Sequence, residues 1–123
     1  MPHITLEYSP NFLPKYIMNI GAEIQNIMRN INLANFDVDQ CKIRSIPYQN
    51  FIVGLDENRA NFIHISIKIL AGRSLEIRKE LSKKVFDYVV ESYEKNSNNQ
   101  SRTDISVDII EMDRDCYNKI TIK

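Results

Sequence analysis

The chain has 123 residues, of which 43% are hydrophobic, and this is enough apolar material for one compact domain with its own core. Its 16 Lys and Arg residues balance 16 Asp and Glu residues, so no overall positive field attracts nucleic acid or an anionic membrane surface. The longest apolar runs are interrupted by polar residues and are shorter than the roughly 20 residues of a membrane span. These features predict a single domain over residues 1–123, without a nucleic-acid or membrane partner.

The first half of the chain predicts a strand, a helix and a broken strand. From His3 to Tyr8, apolar and polar residues alternate with the period of a half-buried strand. From about Pro14 to Asn32, apolar residues recur every three or four positions and predict an amphipathic helix with the stripe Ile17, Ile20, Ile24, Ile27, Met28 and Ile31. Lys42 to Val53 is strand-like, but Pro47 cannot donate a ladder hydrogen bond, so we expect a bent strand or two short ones.

The second half repeats this order. Ile63 to Ile69 alternates like a strand, Gly72 ends it, and Ser74 is placed to cap a helix that runs to about Lys95. The buried stripe of this helix is predicted to be Ile77, Leu81, Val85, Val89 and Tyr93. The polar segment from Asn96 to Thr103 predicts an exposed loop. A fourth strand is predicted around Ile105, Val107 and Ile109, and the tail from Tyr117 to Lys123 is expected to form a short edge strand or an arm that bridges subunits.

An internal repeat relates the two halves, about 2–60 and 62–123. A shift of 61 residues places Pro2-His3-Ile4-Thr5-Leu6 on Ile63-His64-Ile65-Ser66-Ile67. Two tandem β-α-β units predict an α+β, two-layer fold in which both helices cover one face of a four-stranded sheet. The other face carries the mixed set His3, Thr5, Ser66 and Lys68 and needs a partner, so we expect a ring of subunits.

Pro2 is the first candidate for chemistry. Met1 followed by a small residue is normally removed, which would leave Pro2 with a secondary amine at the chain terminus. An α-amino group titrates near pH 8, and burial beside cationic side chains moves its pKa toward neutrality, where a general base works well. The ordinary alternative is that Pro2 only stiffens an unremarkable terminus.

Two arginines are the candidates for binding an anion. Arg73 stands between Gly72 and Ser74 at a predicted strand-to-helix turn, where a guanidinium can offer its planar fork to a carboxylate. Arg44 lies in the second strand region and is expected to project toward the same sheet face as Pro2. Taken singly, each has an ordinary explanation as a solvated surface charge.

Three segments together resemble a known family. These are the initial Met-Pro-His-Ile, Ile43-Arg44-Ser45, and the run from His64 to Glu76 that includes Ala71-Gly72-Arg73-Ser74. In order and spacing over essentially the whole chain they are similar to the 5-carboxymethyl-2-hydroxymuconate isomerases of the tautomerase superfamily, whose fold resembles that of 4-oxalocrotonate tautomerase and macrophage migration inhibitory factor.

The resemblance implies a homotrimeric, cofactor-independent and metal-independent isomerase. The cytoplasmic location is predicted separately, from two cysteines without CxxC spacing. Pro2 would act as base and then acid, Arg73 would contribute to catalysis, and Arg73 and Arg44 would bind the carboxylate or 2-oxo groups of a small unsaturated substrate. An arginine of one subunit would meet Pro2 of its neighbour. Because Ile63 stands where the first repeat has Pro2, and Phe12 where the second has Arg73, each chain should hold one site.

Two other functions stay open from the sequence. One is a trimeric binding module of the same fold without catalysis, because fold alone does not determine function. The other keeps the Pro2 chemistry with a different substrate, such as an arylpyruvate or a halogenated acrylate. His3 and His64 make a poor metal site without further ligands, and Cys41 and Cys116 are expected to be reduced thiols.

Overall fold

Strands and helices follow one another in two matching sets. In the computed structural model, which describes residues 2–55, 60–96 and 102–123, the elements are β1 (His3–Tyr8), α1 (Pro14–Arg29), β2 (Lys42–Pro47), β3 (Asn61–Leu70), α2 (Leu75–Asn96) and β4 (Thr103–Met112). Short 3-10 turns occupy Val38–Gln40 before β2 and Arg114–Cys116 after β4.

The strands form one mixed sheet in the order β2-β1-β3-β4. β1 is parallel to β2 and β3 is parallel to β4, whereas the central pair β1 and β3 is antiparallel. Each parallel pair is joined through a helix, so the chain consists of two β-α-β units placed side by side. The α+β architecture predicted from the internal repeat is therefore confirmed.

Both helices pack on the same face of the sheet. Alternate residues of the central strands are buried there, with Ile4 and Leu6 in β1 and Ile63, Ile65 and Ile67 in β3 all fully buried. The same core contains the apolar stripe of each helix, namely Ile17, Ile20, Ile24 and Met28 from α1 and Leu81, Val85 and Val89 from α2. Ile27 and Ile77 are partly buried against this core, which confirms most of each predicted stripe. Ile31 is buried but lies beyond the end of α1, and Tyr93 is not part of the core and instead contacts Phe12 and Thr103.

Helix α1 approaches β2 closely at Gly21. A Cβ atom at this position would stand 2.8 Å from Cγ2 of Ile43, and real Cβ atoms essentially never come that close to another heavy atom. The missing side chain therefore sets the distance between the helix and the edge strand.

The structure departs from the predicted elements in three places. Helix α1 ends at Arg29, before Asn32, because the Asn30 side-chain amide donates to the carbonyl of Asn26 at 2.9 Å and the chain then turns. β2 ends at Pro47 and does not continue to Val53, because its partner β1 ends at Tyr8, whose carbonyl accepts the last hydrogen bond from the backbone N–H of Tyr48 at 2.9 Å.

The tail also differs from the expected edge strand, because no strand forms after β4 within residues 102–123. The tail instead lies against its own chain, where the Tyr117 hydroxyl is 2.8 Å from His3 Nε2 and Lys119 Nζ donates to Gln40 Oε1 at 2.6 Å. Most of the predicted loop between Asn96 and Thr103 lies outside the described residues. Within the described ranges, no helix is long and apolar enough to cross a membrane.

The sheet face opposite the helices is mixed, with polar residues beside apolar ones such as Ile46 and Ile110, and we call it the open face. It carries His3 and Thr5 from β1, Arg44 from β2, and His64 and Ser66 from β3, as the pairing Thr5 with Ser66 and Thr5 with Arg44 requires. The predicted mixed set therefore shares this face. His64 Nδ1 lies 2.6 Å from Ser106 Oγ of β4, and Ser66 Oγ lies 3.2 Å from His64 Nε2.

Candidate active site

The topology brings the predicted site residues toward one end of the sheet. Because β1 and β3 are antiparallel, with His3 opposite Lys68, the start of β1 lies near the end of β3. Pro2 comes directly before β1, and Arg73 follows β3 in the turn that leads into α2. The loop after α1 reaches the same end, since Arg73 contacts Ala34 and Asn35 there.

Pro2 is buried at the edge of the core. Its carbonyl accepts a hydrogen bond from the backbone N–H of Lys42 at 3.0 Å, which ties the residue to the first residue of β2. A residue held through its carbonyl keeps its nitrogen in a defined place. A buried position is also one that disfavours the charged form of an amine.

Arg73 is half-buried and held by backbone carbonyls. Its Nε donates to the carbonyl of Ala34 at 3.1 Å, Nη2 to that of Asn35 at 3.2 Å, and Nη1 to that of Leu70 at 3.4 Å. The guanidinium carbon lies 4.5 Å from the centre of the Phe36 ring, a cation–π distance. Burial, followed by the charge of Arg114, lowers the pKa of Arg73.

The turn around Arg73 explains its fixed position. Gly72 has a φ of 130°, which a residue with a side chain rarely adopts. Ser74 caps the helix that follows, as predicted, because its Oγ accepts from the backbone N–H of Ile77 at 3.2 Å. Arg73 is therefore set between a glycine-dependent bend and a capped helix start.

A cleft of about 390 Å³ opens beside Arg73. It is lined by the loop after α1, the turn before α2 and the turn after β4, that is by Leu33, Ala34, Asn35, Gly72, Arg73, Ser74, Ile77 and Arg114. Arg114 was not among the residues singled out from the sequence. The parallel pairing of β3 with β4 was the signal that could have identified it, because the residues that follow two adjacent parallel strands meet at the same edge.

Arg44 lies on the open face, not on the side of Pro2 as expected. The β1–β2 register puts Arg44 beside Thr5, whereas alternation along β1 puts position 2 on the side of Ile4. Arg44 Nη1 lies 3.2 Å from His3 Nδ1. Within one subunit, no hydrogen bond among the described residues joins Pro2, Arg44 and Arg73.

His3 connects Arg44 to the tail. A guanidinium has only donors, so His3 Nδ1 accepts from Arg44 and its Nε2–H donates to the Tyr117 oxygen at 2.8 Å. Burial, followed by the positive charges of Arg44 and Lys42, lowers the pKa of His3. The imidazole is therefore held in its neutral form with one defined tautomer.

The cysteines and histidines do not gather into a metal site. Among the described residues, no group of three or more His, Cys, Asp or Glu side chains could hold a metal ion. Cys41 is half-buried and Cys116 is exposed, and both are free thiols. Burial raises the pKa of the Cys41 thiol, which makes it a poor nucleophile.

Comparison with known proteins identifies the family to which this sequence is similar. The sequence matches the family model of 5-carboxymethyl-2-hydroxymuconate isomerase over residues 2–122. No curated protein gives a significant sequence match.

Solved structures share the fold. A 5-carboxymethyl-2-hydroxymuconate isomerase from Deinococcus radiodurans R1 is 23% identical with a TM-score of 0.82, over 98% of this chain and 90% of that chain. A 5-carboxymethyl-2-hydroxymuconate delta-isomerase is 13% identical with a TM-score of 0.81, over 98% and 88%. A fused 4-OT symmetric trimer is 13% identical with a TM-score of 0.67, over 90% and 87%.

The family match covers nearly the whole chain, including the candidate residues Pro2, Arg44 and Arg73. The structural neighbours place the two β-α-β units in the fold of the tautomerase superfamily. The chain therefore belongs to the 5-carboxymethyl-2-hydroxymuconate isomerase family and is an isomerase of the tautomerase superfamily.

Proposed function

We propose that this isomerase interconverts a 2-hydroxymuconate-type dienol and its conjugated 2-oxo isomer without a cofactor, with 5-carboxymethyl-2-hydroxymuconate as the candidate substrate. The observation that carries the proposal is the family match from residue 2 onward, together with the buried position of Pro2 at the sheet end that also holds Arg73. We propose that the reaction takes place in the cytoplasm.

Pro2 is the general base and then the general acid in this proposal. After removal of Met1, its secondary amine takes the proton of the 2-hydroxy group and returns a proton to a distal carbon of the dienolate. The buried position of Pro2 disfavours the charged form of such an amine, and a base works best when it is free of its proton near neutral pH. Proton transfer of this kind requires no redox change and no group transfer.

The arginines bind the negative charge of substrate and intermediate. Arg73 is held by three backbone carbonyls, so its remaining N–H groups are oriented before substrate arrives. Preorganised donors stabilise developing negative charge more effectively than mobile ones. Arg44 is proposed to bind a second carboxylate or the 2-oxo group.

A homotrimer completes the site in this proposal. Arg44 faces away from Pro2 of its own chain, onto the open face, so a neighbouring subunit offers the natural way to bring an arginine and a Pro2 together. The fused 4-OT structure is a symmetric trimer, and the shared fold supports the same assembly here.

The test is ketonisation of 5-carboxymethyl-2-hydroxymuconate followed by ultraviolet absorbance, with protein whose loss of Met1 is verified by intact mass. We expect Pro2→Ala to lower kcat by about 100-fold or more, the usual contribution of a general base. Pro10→Ala, at an exposed loop position, is the matched control and should leave kcat unchanged. Turnover that is indifferent to Pro2→Ala would disprove the assigned role of Pro2.

One observation favours a second candidate function, a trimeric binding module without catalysis. Three of the five Arg73 N–H groups are bound to backbone carbonyls, which is also what a purely structural arginine would show. Absence of turnover on every dienol by the protein without Met1 would support this function. Turnover of an arylpyruvate or a halogenated acrylate, but of no dienol, would keep the Pro2 chemistry and change the substrate.

A further inference from the structure

Two guanidinium groups lie on either side of Gly72 in the wall of the cleft. Arg73 follows Gly72 in the chain, and Arg114 reaches back from the turn after β4 to donate through Nε to the carbonyl of Ala71. Nε and Nη2 of Arg114 each lie 3.5 Å from the point where a Cβ on Gly72 would stand. A Cβ at residue 72 would therefore touch Arg114 only at ordinary van der Waals distance, and the need for glycine here comes from its φ of 130°.

No acidic side chain among residues 2–55, 60–96 and 102–123 forms an ion pair with Arg73 or Arg114. Asp113 is next to Arg114 in sequence, but its carboxylate accepts from the backbone N–H of Asp115 at 2.9 Å and faces the Cys116 thiol at 3.7 Å. Two adjacent like charges repel each other, and an anion bound between them would remove that repulsion.

The two arginines also retain unused donors. Each guanidinium has five N–H groups. Arg73 uses three of them on the carbonyls of Leu70, Ala34 and Asn35, and Arg114 uses one on that of Ala71. Two N–H groups of Arg73 and four of Arg114 are therefore left for a ligand, in a cleft of about 390 Å³. Carboxylates accept such donors in bidentate pairs.

We propose that Arg114 is a specificity-determining residue that binds a second carboxylate of the substrate beside the one held by Arg73, which leaves the 2-oxo group as the ligand of Arg44. This inference rests on the proposed function. It predicts that the enzyme prefers dicarboxylate and tricarboxylate substrates over monocarboxylates. Arg73 then binds a carboxylate of every substrate, whereas Arg114 binds only substrates that carry a further carboxylate.

The kinetic test compares a dicarboxylate dienol, 2-hydroxymuconate, with a monocarboxylate dienol, 2-hydroxy-2,4-pentadienoate. Arg114→Gln should lower kcat/KM for the dicarboxylate by about 10- to 100-fold, mainly through KM, because it removes charged hydrogen bonds. It should change kcat/KM for the monocarboxylate by less than about threefold. Arg102→Gln, at the opposite end of β4 from Arg114, is the matched control and should change neither value.

A binding measurement separates this inference from the proposed function. Calorimetric titration with adipate and with valerate requires no turnover, and only adipate should bind more weakly to Arg114→Gln. Circular dichroism verifies the fold, and Arg114→Lys, which keeps the charge, should restore part of the adipate affinity. Equal effects of Arg114→Gln on both ligands, or no effect on either, would overturn the inference, even if the wild-type enzyme turns over no dienol.

Discussion

Arg44 determines the protonation of a neighbouring side chain on the open face. Its guanidinium can only donate, so His3 must accept through Nδ1 and carry its proton on Nε2, toward Tyr117. The hydroxyl of Tyr117 then receives a hydrogen bond and keeps its own proton to donate. One arginine thereby fixes the orientation of two further polar groups between β1, β2 and the tail.

This arrangement predicts how His3 titrates. Its pKa should lie below the usual value of 6.5, and Arg44→Gln should raise it by removing the nearest positive charge. Between the folded pKa and 6.5 the unfolded chain binds more protons than the folded chain, so stability should fall as the pH falls through that window.

The measurement is an NMR titration of the His3 ring protons in both proteins, with Arg102→Gln as a control for loss of a distant positive charge. A His3 pKa at or above 6.5 in the wild-type protein would contradict the prediction. So would a pKa that does not move in Arg44→Gln.

At the scale of elements, the contact between α1 and β2 depends on a glycine inside a helix. Glycine costs about 1 kcal/mol relative to alanine in a helix interior, so its presence in the middle of α1 calls for a reason. The reason is the 2.8 Å approach to Cγ2 of Ile43, a methyl group on the branched Cβ that cannot rotate away freely.

Gly21→Ala should therefore destabilise the protein in spite of the better helix propensity of alanine. Overpacking costs about 1–3 kcal/mol and outweighs the propensity gain, so we expect a net loss of about 1 kcal/mol. In an Ile43→Ala background the obstructing Cγ2 is gone, and the same substitution should stabilise. Urea unfolding of the four proteins at one fixed concentration measures this, and a stabilising Gly21→Ala in the wild-type background would refute it.

At the scale of the whole molecule, the open face is the side of the sheet that a single chain leaves uncovered. The helices cover one side of the sheet, and the other side presents half-buried polar residues such as Thr5, His64 and Ser66. A ring of three subunits would cover this side and bring together residues that one chain keeps apart, such as Arg44 and Pro2.

We expect light scattering after gel filtration to give three times the 14.4 kDa chain mass, about 43 kDa. Ser66→Asp places a second carboxylate directly opposite Asp108, and like charges on a covered face should disperse the trimer and abolish turnover. Ser66→Ala loses only the hydroxyl contact to His64 and should remain a trimer. A monomer of normal activity would exclude assembly as a condition for catalysis.

The sequence by itself predicted the elements and their grouping into two units. Periods of two and of about 3.6 residues mark which side of each strand and helix is buried, and this information is local. The alternation of β1 and β3 was therefore predicted correctly, as were the stripes of α1 and α2 apart from Ile31 and Tyr93. The family resemblance was also present in the sequence, because Pro2 and the Gly72–Arg73 turn stand at recognisable positions.

Only the tertiary structure decided where the arginines lie. The register between β1 and β2 put Arg44 on the open face, the loop after α1 supplied the carbonyls that hold Arg73, and β4 delivered Arg114 to the same cleft. Each of these contacts joins residues about 40 positions apart. A local sequence pattern shows which residues of an element are buried, but it does not show which distant residues they contact. Strand register and loop contacts are therefore known only from the folded chain.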